Sequence, residues 1–239
     1  MARPLGRRSQ GRSIRALEPR TGNPEPEPRT RTLNTNFEHE PSTGTGEPRL
    51  SFIIKVGGGL LASVGDLDHA LTAVAALGQR HHTLIVPGGG PFADEVRRVD
   101  AALGLSDDAA HWMAVLAMDQ YAHLLAARLP RGVVVNTALD ARTQSGLGRV
   151  PVIAPSRWLQ DSDPLPHTWD ITSDSIAAWI AAQAGAEALV LIKPRGAAGD
   201  IVDPCFHSVV TASLRTIIVT VDRLDAALTQ LAVSASPSP

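Results

Sequence analysis

Cysteine and tyrosine each occur once in this chain of 239 residues, lysine only twice, and aromatic residues make up 4%. The lone cysteine, Cys205, excludes an intramolecular disulfide framework and any zinc site built from several cysteines. Beside Phe206 it reads as a small packing residue, with no neighbour in sequence to activate a thiolate. Long apolar runs are missing too: residues 109–118 are broken by His111 and fall short of the roughly 20 residues that cross a bilayer. The arginines near the start precede no apolar stretch, so no secretory signal is read there. A cytoplasmic protein without a membrane partner is expected. Net charge is −2, which gives no reason to expect nucleic acid as a partner.

The scarcity of lysine is informative. Lysine and arginine total 22, yet Lys55 and Lys193 are the only lysines, so arginine serves wherever a generic positive charge suffices. Both lysines end apolar, strand-like runs. A compact ammonium on a flexible stem suits a moving phosphate better than the wide planar fork of a guanidinium.

Residues 1–49 carry nine arginines, six glutamates and many prolines without apolar periodicity, too little to offset the entropy of ordering. This stretch is expected to be a disordered tail; an arginine-rich targeting segment, a basic interaction arm and a misassigned start are the other readings. The glutamates speak against a transit peptide. Residues 50–232 then alternate strand and helix signals, which predicts an α/β domain, and residues 233–239 form a Ser/Pro tail. Strands are predicted over residues 52–56, 84–86, 133–135, 150–153, 188–193 and 216–221. Helices are predicted over 66–77, with Leu67, Leu71, Val74 and Leu77 on one face, from the second glycine corner onward, over 107–129 behind a Ser106 cap, through 184 behind Thr172 or Ser173, and over 222–231. The apolar positions of the 107–129 helix are read as Trp112, Val115, Leu116, Leu124 and Leu125. Residues 140–149 are expected to be a loop, either a lid or plain surface.

Two corners share one design. Ile53-Ile54-Lys55-Val56 runs into Gly57-Gly58-Gly59, and Leu84-Ile85-Val86-Pro87 runs into Gly88-Gly89-Gly90 and a helix that carries acids first and Arg97 and Arg98 later. Glycines allow sharp turns and close approach of a ligand, and the N–H groups at a helix start attract anions. Both corners match G-x-G-x-x-A, at Gly57, Gly59 and Ala62 and at Gly88, Gly90 and Ala93. A dinucleotide site also requires an acid near the end of the second strand, where this chain has Val86-Pro87. Neither corner continues into the Gly-Lys-Ser/Thr of a Walker loop. What remains is a phosphate-binding design with Lys55 placed to reach over the amides of Gly57 to Gly59. Arg97 and Arg98 lie one turn past the second corner, and Arg97 is the one read as a bidentate ligand of an acceptor phosphate.

These two corners, followed by Thr172-Ser173-Asp174-Ser175-Ile176-Ala177-Ala178 and a strand ending in Lys193, resemble the amino acid kinase family over residues 50–231. The segments 87–97, 106–121 and 169–179 resemble a branch that phosphorylates a furan-methyl phosphate in methanofuran-type cofactor biosynthesis, a setting in one-carbon metabolism. The resemblance implies a three-layer α/β/α sandwich with a mainly parallel sheet and a small-molecule kinase that uses ATP and Mg²⁺. Lys55, Asp174 and Lys193 would then be catalytic, with Asp174 orienting the lysines. Gly57, Gly58, Gly59 and Lys193 would bind ATP; Gly88, Gly89, Gly90, Arg97, His111 and Asp170 would face a phosphorylated or carboxylated acceptor. The resemblance also implies a homo-oligomer, and no metal-binding residues are assigned.

The chain departs from the family pattern in three places. Gly59 stands where relatives usually carry serine, Pro194-Arg195-Gly196 replaces Val-Asp-Gly, and the N-terminal tail has no counterpart. The first two keep open a non-catalytic nucleotide- or oxyanion-binding member of the same fold, like the molybdenum storage proteins; the G-x-G-x-x-A matches keep open an NAD(P)-dependent oxidoreductase. His111 and His123 are not spaced as a helical metal pair, and outside the acceptor role His111 is a half-buried helix residue. Trp112, Trp169 and Trp179 are read as packing residues.

Overall fold

Short runs rich in Val, Ile and Leu build six strands: β1 (Phe52–Val56), β2 (Thr83–Pro87), β3 (Gly132–Val135), β4 (Val150–Ile153), β5 (Ala188–Lys193) and β6 (Arg215–Thr220). The central runs are apolar at consecutive positions because a parallel sheet is covered on both faces, and every residue of β1, β2, β4 and β5 is buried. The order is β3-β4-β2-β1-β5-β6 with all neighbours parallel. This computed structural model describes residues 49–198 and 201–235. The tail expected over residues 1–49 therefore lies, apart from Arg49, outside the described residues, as do residues 236–239.

Eight α-helices connect the strands among the described residues: α1 (Val64–Gly78), α2 (Gly90–Leu103), α3 (Asp107–Arg128), α4 (Ala138–Gly146), α5 (Ser156–Ser162), α6 (Ser173–Ala184), α7 (Phe206–Val209) and α8 (Leu224–Ser234). One face of the sheet, with Phe52, Ile54 and Val56, packs on Leu67, Leu71 and Val74 of α1 and Leu224 and Leu228 of α8. The other, with Ile53, Leu189 and Leu191, packs on Ile176, Ala177 and Ile180 of α6. These layers make the α/β/α sandwich.

Several expectations need correction. Residues 138–146 are helix α4, where a loop was expected: Thr137 caps it by accepting a hydrogen bond from the Asp140 amide, but only Ala141 and Ser145 are buried, so apolar periodicity is absent. Leu116, read as part of the apolar face of α3, is 46% exposed. Val115 and Leu125 are buried as expected and Trp112 and Leu124 pack against the core, while Ala110, Met118, Tyr121 and Ala122 complete the stripe, where alanines admit close approach. Helices α5 and α7 are too short to show a period, and α8 runs to Ser234, past the helix end expected at 231.

Strand alternation fixes where the lysines point. Lys55 pairs in register with Leu191, so Lys55, Leu191 and Lys193 share one face, that of Ile53 and α6. The chain leaves β1 toward β2 on one side and β5 toward β6 on the other. Adjacent parallel strands whose connections diverge leave a crevice at their carboxyl ends, and both lysines sit at this point.

The two glycine corners touch backbone to backbone there. A Cβ on Gly58 would lie 2.2 Å from the Gly90 nitrogen, and one on Gly88 would lie 2.6 Å from the Gly58 nitrogen. Gly65, in the first turn of α1, has no heavy atom near its Cβ position. Gly58→Ala is expected to destabilise by about 3 kcal/mol or more, because backbone must move. Gly65→Ala is expected to stabilise by about 0.5–1 kcal/mol, as alanine restricts the unfolded chain and favours the helix. Urea midpoints check both; equal effects would contradict the packing described.

Candidate functional site

Asp174 opens α6 and points at the ends of β1 and β5. Lys55 Nζ lies 2.8 Å from its Oδ1 and Lys193 Nζ 2.7 Å from its Oδ2. The three side chains are all buried, at 5%, 4% and 7% exposure for Lys55, Asp174 and Lys193, so one carboxylate faces two ammoniums out of water. Burial pushes the Asp174 carboxyl up, but the charges of Lys55 and Lys193 and their hydrogen bonds outweigh it and hold it below the usual range. Burial and the neighbouring Lys55 lower the Lys193 ammonium, and Asp174 offsets part of this. With both lysines charged, the group carries one excess positive charge in a poorly solvated place, and an anion is its natural complement.

A second carboxylate holds this arrangement from behind. Asp203 is buried and accepts hydrogen bonds from the Thr172 and Ser175 amides and from both of their hydroxyls. Thr172 occupies the N-cap position of α6, but its side chain donates to Asp203 instead of capping the helix. Asp203 lies about thirty residues downstream, so only the tertiary fold reveals it. Cys205, close by, is half-buried, and burial raises its thiol above the ordinary range.

Each glycine triplet divides its labour. The first glycine extends the sheet: the Gly57 amide donates to Ile192 O at 3.1 Å and the Gly88 amide to Val56 O at 2.9 Å. Those two amides, assigned to ligands on sequence grounds, are therefore already engaged. Gly58 and Gly59 begin a 3-10 turn and Gly89 and Gly90 lead into α2; these four line a cavity of about 490 Å³. At a helix start such N–H groups have no intrahelical partner.

The same cavity is lined by Arg97, His111, Met118, Trp169, Thr172 and Ser173. Arg97 pairs with Asp94 at 2.9 Å and its guanidinium lies 4.8 Å from the Trp169 ring centroid. Arg98 turns outward to Glu95. Trp169, read as packing, is held in the wall by its indole N–H donating to Asp100 at 2.8 Å. Asp170, expected to face the acceptor, is exposed and does not line the cavity; Thr168 and Trp169 stand there instead. No group of three or more His, Cys, Asp or Glu side chains that could hold a metal forms among the described residues. No helix among them is long and apolar enough to cross a membrane.

His111 stacks on His167 with centroids 4.0 Å apart, and both His167 ring nitrogens face carboxylates, those of Asp108 and Asp163. Burial first, and the charge of His167 second, depress His111 to about 4, against the pull of Asp163 and Asp108. The cavity therefore meets a neutral imidazole near neutral pH. A histidine depressed by folding favours the native state fully above its ordinary value of 6.5 and loses that contribution as pH falls toward about 4. His111→Gln is expected to lose less stability than the wild type between pH 6.5 and pH 4; His81 shifts in the same direction in both proteins and cancels. Parallel pH profiles of the urea midpoint would contradict this.

A model of the amino acid kinase family matches residues 51–194. The chain is similar to the [5-(aminomethyl)furan-3-yl]methyl phosphate kinase of Methanocaldococcus jannaschii, with 32% identity over 128 residues, 54% of this chain and 58% of that one. It thus spans somewhat more than half the length of that relative. In fold it is similar to the uridylate kinase of Archaeoglobus fulgidus, with a TM-score of 0.57 and 17% identity over 75% of this chain and 95% of that chain. The UMP kinase of Ureaplasma parvum gives a TM-score of 0.59 and 15% identity over 78% and 96% of the two chains. The triglycine corners, the lysine pair on one carboxylate and the family match over residues 51–194 together show that the chain belongs to the amino acid kinase family.

Proposed function

We propose that this protein transfers the γ-phosphoryl group of ATP to a small phosphorylated acceptor, and that the acceptor is a furan-methyl phosphate of methanofuran-type cofactor biosynthesis. The observation that carries the reading is the buried Lys55–Asp174–Lys193 group, one positive charge in excess, beside the cavity-facing corners of Gly58-Gly59 and Gly89-Gly90. Phosphoryl transfer demands positioning and neutralisation of charge more than covalent help from the protein.

In this reading Lys55 and Lys193 neutralise the phosphoryl oxygens from two adjacent strands, while Asp174 keeps the ammoniums apart and aimed. The Gly58 and Gly59 amides face the donor and those of Gly89 and Gly90 the acceptor. An oxygen of the acceptor phosphate forms the new P–O bond as the bond to the β–γ bridging oxygen breaks, and ADP leaves. Such a nucleophile is already ionised near pH 7, so no general base is required, in keeping with an Asp174 engaged at both oxygens. Mg²⁺, when bound, would spread charge off the donor phosphates, and their oxygens rather than a protein cage would hold it. Arg97, His111, Trp169 and Thr172 would shape the acceptor end.

The relative's name specifies an acceptor with a phosphate at one end and an aminomethyl group at the other. The cavity offers glycine corners for the first; Asp94 is paired with Arg97, and Asp107, the other acidic residue of the lining, has the charge that suits the second. Neither the family nor the fold supports a non-catalytic storage role or a nicotinamide-dependent oxidoreductase. A cytoplasmic homo-oligomer is part of the proposal; the location rests on the composition, with its single cysteine, and the oligomer on the family resemblance.

Purified protein with Mg-ATP and a furan-methyl phosphate is expected to release ADP. Lys55→Ala and Lys193→Ala are each expected to lower kcat by about 10²-fold or more with the circular dichroism unchanged. Absence of ADP release across a panel of phosphate monoesters, or undiminished turnover in both variants, would refute the proposal.

A further inference from the structure

The two departures from the family pattern near the donor side, Gly59 and Pro194-Arg195, meet in space. A Cβ at residue 59 would lie 2.7 Å from Pro194 Cγ, too close for any real contact, and Gly59 has no unusual φ that would require glycine for its own sake. The proline ring therefore occupies the place of a side chain at 59, and beyond a change of pucker it has little freedom to withdraw, because the ring closes onto its own backbone nitrogen.

This contact belongs to a series. Ile192 O accepts from the Gly57 amide at 3.1 Å, Pro194 covers Gly59, and Arg195 Nη2 donates to Asp66 Oδ1 at 2.9 Å. The exit of β5 is thus tied to the first corner and to the start of α1 at residues 192, 194 and 195. Lys193 lies inside the series, with its ammonium on Asp174. A proline at 194 also confines the Lys193 backbone to extended conformations.

We infer that Pro194, seated on Gly59 and followed by the Arg195–Asp66 pair, is a positioning residue that sets Lys193 against the first glycine corner, and that Gly59 and Pro194 are one coupled unit. The loss of a side chain at 59 is the counterpart of the ring at 194. The contact stands on geometry alone; its consequence for turnover rests on the kinase reading.

The test is a double-substitution cycle with Gly59→Ala, Pro194→Ala and both together, read by thermal midpoint and by kcat and KM for ATP and for acceptor. Gly59→Ala alone is expected to lower the midpoint by about 5 °C and raise the KM for ATP about tenfold, with the acceptor KM within about twofold. Pro194→Ala is expected to lower kcat about tenfold with a smaller change in midpoint. In the Pro194→Ala background the added alanine at 59 is expected to cost almost nothing in midpoint. Equal cost of Gly59→Ala in both backgrounds overturns the coupling. Equal rises in the KM of donor and acceptor, or an unchanged kcat in Pro194→Ala, overturn the positioning role. If the wild type releases no ADP with any acceptor, the kinase reading fails separately, and the midpoint cycle still decides the coupling. In that case, calorimetry with a non-hydrolysable ATP analogue decides the positioning role: unchanged affinity in Pro194→Ala overturns it.

Discussion

The sharing of one buried carboxylate by two ammoniums is the constraint on which the rest of this structure depends. Removing one lysine would leave a neutral pair, and removing Asp174 would leave two buried cations facing each other. As it stands, Lys55–Asp174–Lys193 is held together by attraction yet keeps one positive charge in excess. Such a group is costly without an anion and favourable with one. The fold makes it possible by placing Lys55 and Lys193 on adjacent parallel strands, in phase, at the point where the chain's connections diverge. Asp203 contributes at a distance by gathering the amides and hydroxyls of Thr172 and Ser175 and so fixing the start of α6.

The glycines follow from the same demand for close approach. A ligand between two strand ends needs corners without side chains, and these corners come so near each other that Gly58 and Gly88 have no room for a Cβ. The first glycine of each triplet continues the sheet, and the later ones face the cavity. Each corner is joined to the sheet by the hydrogen bond of its first glycine. A cradle anchored in this way limits the reorganisation needed when a charged ligand arrives, which is how preorganised electrostatics lowers a barrier.

Much of this was legible in the sequence because it is local. The apolar runs that stop at glycine marked β1 and β2, Ser106 marked the start of α3, and the rarity of lysine singled out Lys55 and Lys193. Features created by distant residues were not legible. Asp203 is isolated in sequence and gains its meaning from α6. The engagement of the Gly57 amide by Ile192 depends on the β1–β5 pairing, and the Gly59–Pro194 contact joins two segments 135 positions apart by their numbers. Helix α4 leaves no apolar period in the sequence because it buries only Ala141 and Ser145, although Thr137 with Asp140 three residues later is a cap signal. Trp169 packs on Ala93, Val96 and Ala117, as its sequence context suggests, and its second role in lining the cavity depends on the fold, as does the absence of Asp170 from that wall.

Asp174→Asn tests most directly whether an excess buried positive charge is the anion site. The variant keeps the shape of the side chain and removes its charge. Its stability is expected to fall by about 3–5 kcal/mol, the cost of leaving buried charges uncompensated. A non-hydrolysable ATP analogue is then expected to raise its thermal midpoint more than that of the wild type, because the polyphosphate supplies the missing negative charge. A variant as stable as the wild type, with no larger response to the analogue, would contradict the account.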